Sequence, residues 1–170
     1  MLACRIFSVL LTSISLVLLL MALITDYWIV ASDAISFMHS GLWKVCRDGN
    51  CFVPNITYDY IIATRAFLIM ASLTALTAVI VLVASFMPYN CGVLDKPLNA
   101  SVAAIIAGLF NLTALAVFTA ESWQKNVNPK IQVTFQWSFY LGWAAFPMLL
   151  LAGIFSLVAH LCSLRSGYNV

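Results

Sequence analysis

Residues 41–57 read Gly41-Leu42-Trp43-Lys44-Val45-Cys46-Arg47-Asp48-Gly49-Asn50-Cys51-Phe52-Val53-Pro54-Asn55-Ile56-Thr57. Near the middle an Asp-Gly pair stands between two cysteines. Asp-Gly favours a two-residue hairpin turn, because both turn positions need positive φ. A hairpin folded there sets Cys46 opposite Cys51, within disulfide reach. The alternative is two free thiols, or half of a metal site with His39 as the only further ligand. We expect the disulfide and no bound metal. Trp28-Ile29-Val30, Gly41-Leu42-Trp43-Lys44-Val45 and Phe52-Val53 have the β-branched and aromatic composition of strands.

Outward from this loop the chain becomes apolar. Only 8% of its 170 residues are charged and its mean hydropathy is +1.02, whereas a soluble domain carries roughly 25% charged residues. Such a surface belongs in lipid. Four runs, about 6–25, 61–87, 98–120 and 137–161, reach the ~20 apolar residues of a membrane-spanning helix. The first is too long for a signal-peptide core and is followed by Asp26-Tyr27-Trp28, not by small residues, so it reads as an uncleaved anchor. Pro88 is expected to stop the second. Tryptophans and tyrosines gather at the run ends, where amphipathic rings prefer the headgroup zone. The expected fold is an all-α membrane protein, a four-helix bundle lying in the bilayer. Loops 26–60 and 121–136 fall on one side, and both chain ends, with tail 162–170, on the other.

The net charge of +2 is spread along the chain, and no basic cluster exists to hold nucleic acid. No metal-ligand cluster, nucleophile elbow or phosphate-binding glycine loop is present, so neither an enzyme nor a cofactor is expected. Sidedness is contested within the sequence. Counting charges by the positive-inside rule puts Arg5, Lys96 and Arg165 on the side of the chain ends, against Lys44, Arg47, Arg65, Lys125 and Lys130 on the loop side. Chemistry points the other way. Cys46, Cys51 and the sequon Asn55-Ile56-Thr57 share one loop and suit an oxidising, glycosylating compartment. Cys4, Cys91 and Cys162 all fall on the opposite face, where they are candidates for S-palmitoylation. We therefore expect cytosolic termini and a glycan at Asn55.

Trp28, then Gly41-Leu42-Trp43, then Cys46 and Cys51, resembles the W–GLW–C–C signature of the claudin, peripheral myelin protein, epithelial membrane protein and lens fibre membrane protein superfamily. Ala63-Thr64-Arg65-Ala66-Phe67 resembles the arginine-bearing start of that family's second helix. The resemblance covers the whole chain and implies a small antiparallel β-sheet in the first extracellular loop. Trp28 and Trp43 would then fill the gap between sheet and bundle or lie at the lipid interface, and we expect Trp43 to fill the gap. Within the superfamily, His39-Ser40-Gly41-Leu42-Trp43, Glu121-Ser122-Trp123 and Pro129-Lys130-Ile131-Gln132 resemble a cytotoxic-granule branch. Thr64-Arg65-Ala66-Phe67 resembles a lens-fibre branch. The resemblance implies a non-enzymatic role in membrane or granule organisation, including granule exocytosis. Its alternative is adhesion, or a barrier at a cell junction, through like-protein association of the first loop. The membrane would be the plasma membrane or that of a cytotoxic granule.

Further expectations concern single residues. Arg65 opens an apolar span, so its charge should reach outward or pair with Asp26, Asp59 or Glu121. Asn111, in mid-span, should bond a neighbouring helix. Ala100, Ala104 and Gly108, beside Ala103 and Ala107, allow close helix approach, more within the bundle than between chains. Tyr168-Asn169-Val170 is a candidate PDZ-domain ligand with Val170 as the pocket residue.

Overall fold

The structure is a computed structural model, and it describes residues 2–32, 37–86, 97–125 and 132–167. Four helices, α1 (Leu2–Ile24), α2 (Asp59–Ala84), α3 (Pro97–Lys125) and α4 (Trp137–Gly167), are each long and apolar enough to cross a membrane. Each packs on two neighbours around a ring in chain order, α4 closing back on α1. Their ends depart from the apolar runs. α1 starts at Leu2, not at 6, and α2 spans 59–84 in place of 61–87, so it ends before Pro88, which lies outside the described residues. α3 runs on past 120, and α4 takes in residues 162–167 of the expected tail. Backbone hydrogen bonding does not stop where apolar composition does, so helices continue into the headgroup zone.

The buried positions repeat in steps of four and three residues on every helix: Ser8, Thr12, Ser15, Leu19 and Ala22 on α1, and Thr64, Leu68, Ala71, Ala75, Ala78 and Leu82 on α2. On α3 the same steps join Ser101, Ala104, Gly108, Asn111, Leu115, Phe118 and Ser122, and on α4 they join Ser138, Gly142, Ala145, Leu149, Ala152, Ser156 and Ala159. This is a 3.5-residue repeat, which keeps one seam facing a neighbour along the whole helix. Most seam positions are small or hydroxyl-bearing, with a leucine or phenylalanine at intervals, while Leu10, Ile14, Val17, Leu73, Leu109 and Ile154 face outward. Lipid gives apolar side chains no reason to turn inward, so close backbone approach and interhelical hydrogen bonds hold the bundle. Ser8 donates to the Ala152 carbonyl (2.8 Å), Ser101 to Gly153 (2.7 Å), Asn111 to Gly142 (2.9 Å) and Ser156 to Pro97 (2.7 Å). Asn111 thus bonds a neighbouring helix as expected, and Gly108 packs against Leu149 and Leu150 of α4 within the bundle.

A five-stranded antiparallel sheet caps one end, in the order β4-β3-β2-β1-β5. Its strands are β1 (Ile29–Ser32), β2 (Phe37–Ser40), β3 (Val45–Arg47), β4 (Asn50–Phe52) and β5 (Gln132–Phe135). β5 comes from the second loop on that side and pairs with β1, Ile29 opposite Phe135 and Ser32 opposite Gln132. The sheet is therefore shared by both loops, not confined to the first. Gly41-Leu42-Trp43-Lys44 is not a strand, as its composition suggests, but the turn between β2 and β3, closed by the Gly41 amide donating to the Lys44 carbonyl at 3.0 Å.

The seam hydroxyls should carry measurable stability. Ser101→Ala removes an interhelical bond and is expected to cost about 1 kcal/mol. Thr113→Ala removes a bond to its own helix's Leu109 carbonyl and should be neutral within about 0.5 kcal/mol. Thermal unfolding of both variants in detergent tests the contrast, and equal losses would contradict it.

Candidate functional site: the clasp between sheet and bundle

An α-helix ends with carbonyl groups that have no partner inside the helix. At the sheet end of α1 these carbonyls meet a compact set of caps. The Thr25 amide and hydroxyl both donate to Met21, at 3.1 and 2.6 Å. The Trp28 indole donates to Ala22 at 2.7 Å, and the Trp43 indole to Leu23 at 2.8 Å. Two tryptophans on different strand connections thus close the same helix terminus.

Their burial differs. Trp28 is fully buried, edge-on to Phe118 (4.6 Å between ring centroids) and to Phe139 (6.0 Å), while Phe139 stacks on Phe135 at 4.3 Å. Its own backbone bridges the sheet: Trp28 N–H donates to Ser40 and its carbonyl accepts from Gln136, both at 3.0 Å. Trp43 remains 39% exposed. The expectation that Trp43 fills the gap between sheet and bundle is corrected: Trp28 fills it, because it enters the sheet directly from α1. Trp43, on a hairpin tip, reaches α1 from the rim.

Arg65 lies across the outer face of Trp43, its guanidinium carbon 4.6 Å from the ring centre. Its Nε donates to the Leu42 carbonyl at 2.8 Å, and Nη2 donates to the same oxygen. A backbone carbonyl and an aromatic face therefore hold this charge, rather than Asp26, Asp59 or Glu121. Among the described residues the one ion pair is Arg47–Asp48, at 3.8 Å. Leu42 is buried beneath the turn. Gly41 is required by close approach: a Cβ there would stand 2.4 Å from the Asp26 Cα and 2.9 Å from the Thr25 carbonyl. The motif residues Trp28, Gly41, Leu42, Trp43 and Arg65 are thus one connected clasp.

At the far edge of the sheet, Cys46 and Cys51 are direct cross-strand partners and form a disulfide, with Cα atoms 4.0 Å apart. Asp48 and Gly49 adopt φ of 50° and 86°, the positive values that an Asp-Gly hairpin turn needs. His39 pairs with Cys46 across β2 and β3, and one of its ring nitrogens lies within 4.8 Å of the two sulfurs. Those sulfurs are engaged with each other, and the imidazole stacks on Tyr27 at 4.4 Å.

Asn55 is exposed in the bend after β4, on the sheet side. Cys4 and Cys162 are unpaired and stand at the opposite end of the bundle. Cys91, Tyr168 and Val170 lie outside the described residues. Sequence reading missed the Leu42 carbonyl as the partner of Arg65 and the recruitment of β5. The alternation in Gln132-Val133-Thr134-Phe135 was the available signal for the strand.

Residues 1–156 match the PMP-22/EMP/MP20/Claudin family. The chain is 39% identical over 166 residues to Protein NKG7 of Homo sapiens, covering 98% of this chain and 97% of that protein. It is 34% identical over 145 residues to lens fiber membrane intrinsic protein of Rattus norvegicus, covering 85% and 84%. It is 32% identical over 155 residues to Claudin domain-containing protein 2 of Mus musculus, covering 89% and 84%.

Two glycines separate close approach from turn geometry. Gly41→Ala should cost about 3 kcal/mol, because the obstructing atoms are backbone. Gly49→Ala meets no atom within 4 Å and should cost only the left-handed strain of about 1–2 kcal/mol. Thermal midpoints of the two variants check this, and a larger drop for Gly49→Ala would contradict the clasp.

Proposed function

The chain belongs to the PMP-22/EMP/MP20/Claudin family, and on that premise we propose that it is a non-enzymatic organising protein of a granule membrane, acting through its sheet. The observation that carries this reading is the clasp. It fastens the sheet to the bundle and leaves Phe52, Val53 and Ile56 exposed around the free β4 edge, at 53%, 66% and 83%. A sheet held this rigidly, with apolar groups at its rim, suits recognition of another membrane component. The likeness to Protein NKG7 over nearly its whole length supports the granule-branch assignment, with exocytosis as the process served.

A second reading, adhesion or barrier formation at a cell junction through like-protein contact, is favoured by the same apolar rim and by the likeness to a lens fiber membrane protein. In both readings the sheet faces the extracellular or luminal side. The disulfide supports this, since such bonds persist in oxidising compartments, and so does the exposure of Asn55. Cys4, Cys91 and Cys162 then take S-palmitoyl groups on the cytosolic face, and Tyr168–Val170 offers a PDZ ligand there.

Imaging a tagged chain in a cytotoxic lymphocyte and in an epithelial sheet separates the readings. We expect granule membranes in the lymphocyte and no enrichment at epithelial contacts; enrichment at contacts establishes the second reading. In the same cells, glycosidase should shift the mobility of the wild type and not of Asn55→Gln. An impermeant thiol label reaching Cys91 on intact cells would place the sheet in the cytosol.

A further inference from the structure

Beside the clasp, on its outer side, lies a cavity of about 210 Å³. Its lining is largely apolar, with Leu42, Val45, Pro54, Ile56 and Ile61, and it includes two cations, Lys44 and Arg65, and no acidic residue. Arg65 uses Nε and Nη2 on the Leu42 carbonyl. A guanidinium carries five N–H donors, so Nη1 keeps both of its own. Lys44 is exposed and makes no ion pair among the described residues.

Depth decides what such a cavity meets. α2 has 26 residues, about 39 Å of helix at ~1.5 Å per residue, against a hydrocarbon core of ~30 Å. Arg65 is six residues from the start of α2 at Asp59, or about 9 Å along it. That places it near the boundary between headgroups and chains on the sheet side. Trp43 and Tyr58, which also line the cavity, are residue types that favour this level. A free aqueous anion gains nothing from an apolar lining or from the exposed Ile69 and Leu73 deeper on the Arg65 face of α2, and an uncharged lipid does not need two cations.

We propose that this cavity binds a phosphate-bearing lipid of the sheet-side leaflet, its phosphate held by Lys44 and Arg65 and one acyl chain running toward the bilayer centre over Ile69 and Leu73, exposed one and two turns deeper on the Arg65 face of α2. The exposed Ile56 closes the mouth. Arg65 then has two roles, tying the hairpin tip to α2 through Leu42 and anchoring the lipid through its remaining donors.

Native mass spectrometry of the full chain released from detergent tests this. The probes are palmitoyl-oleoyl phosphatidylcholine and the diacylglycerol with the same chains. Wild type should retain one phosphatidylcholine at least fivefold better than the diacylglycerol. Lys44→Gln removes a cation and Ile56→Asp sets a carboxylate at the mouth. Both positions are exposed, so thermal midpoints should stay at the wild-type value while phosphatidylcholine retention falls fivefold or more. Equal retention of the two lipids by the wild type, or wild-type retention by both variants, overturns the proposal.

Discussion

The carbonyls at the end of α1 are the constraint on which the sheet-side half of the molecule depends. They emerge where the chain leaves the bilayer, and a helix end left without partners there would be costly. Thr25, Trp28 and Trp43 satisfy three of them in succession. Because Trp28 also lends its backbone to β2 and to the start of α4, capping the helix and docking the sheet become the same event. Arg65 extends the arrangement to α2 by stacking on Trp43 and binding the Leu42 carbonyl. Its positive charge also lies near the negative end of the α1 dipole. The magnitudes rank these contacts. Truncating a buried aromatic ring of this size costs about 3–5 kcal/mol. A disulfide that closes so short a loop contributes about 2 kcal/mol in the chain-entropy account. The cysteines therefore secure the outer hairpin, and the tryptophans secure the sheet.

Below the clasp the bundle obeys a different rule. Its seams combine Ser, Thr, Ala and Gly with single large residues such as Leu19, Leu68 and Leu149, and most other large aliphatic residues face lipid. Several seam hydroxyls bond carbonyls across helices, Ser8 and Ser101 to α4 among them, while Thr12 and Ser15 bond within α1. Each such bond is modest in a membrane, about 1 kcal/mol or less, so the bundle relies on several together with close packing. The largest buried rings, by contrast, collect at the sheet end, where Trp28, Phe118 and Phe139 meet. That is where water, and with it the hydrophobic effect, returns.

This division explains what could be read in advance. Hydropathy located four spans, because length and composition alone decide whether a helix can cross lipid. The Asp48-Gly49 turn and the cysteine pair were legible because turn chemistry is local. β5 was obscure because four residues carry little pattern and their partner, β1, lies some hundred residues earlier in the chain. Trp28, not the expected Trp43, fills the gap, because sequence cannot say which of two similar rings is overlaid by Phe118 and Phe139. For Arg65 the charge alone left two outcomes, reaching outward or pairing with a carboxylate. The fold supplied instead a carbonyl that becomes available only once the Leu42 turn has formed.

Amide hydrogen exchange across β1 and β2 tests the central claim most directly, comparing Trp28→Leu with the double variant Cys46→Ser, Cys51→Ser. The clasp account predicts that the double variant keeps near-native protection of Ile29–Ser32 and Phe37–Ser40, while Trp28→Leu loses it by more than tenfold. Loss of protection without the disulfide, with protection retained in Trp28→Leu, would contradict it.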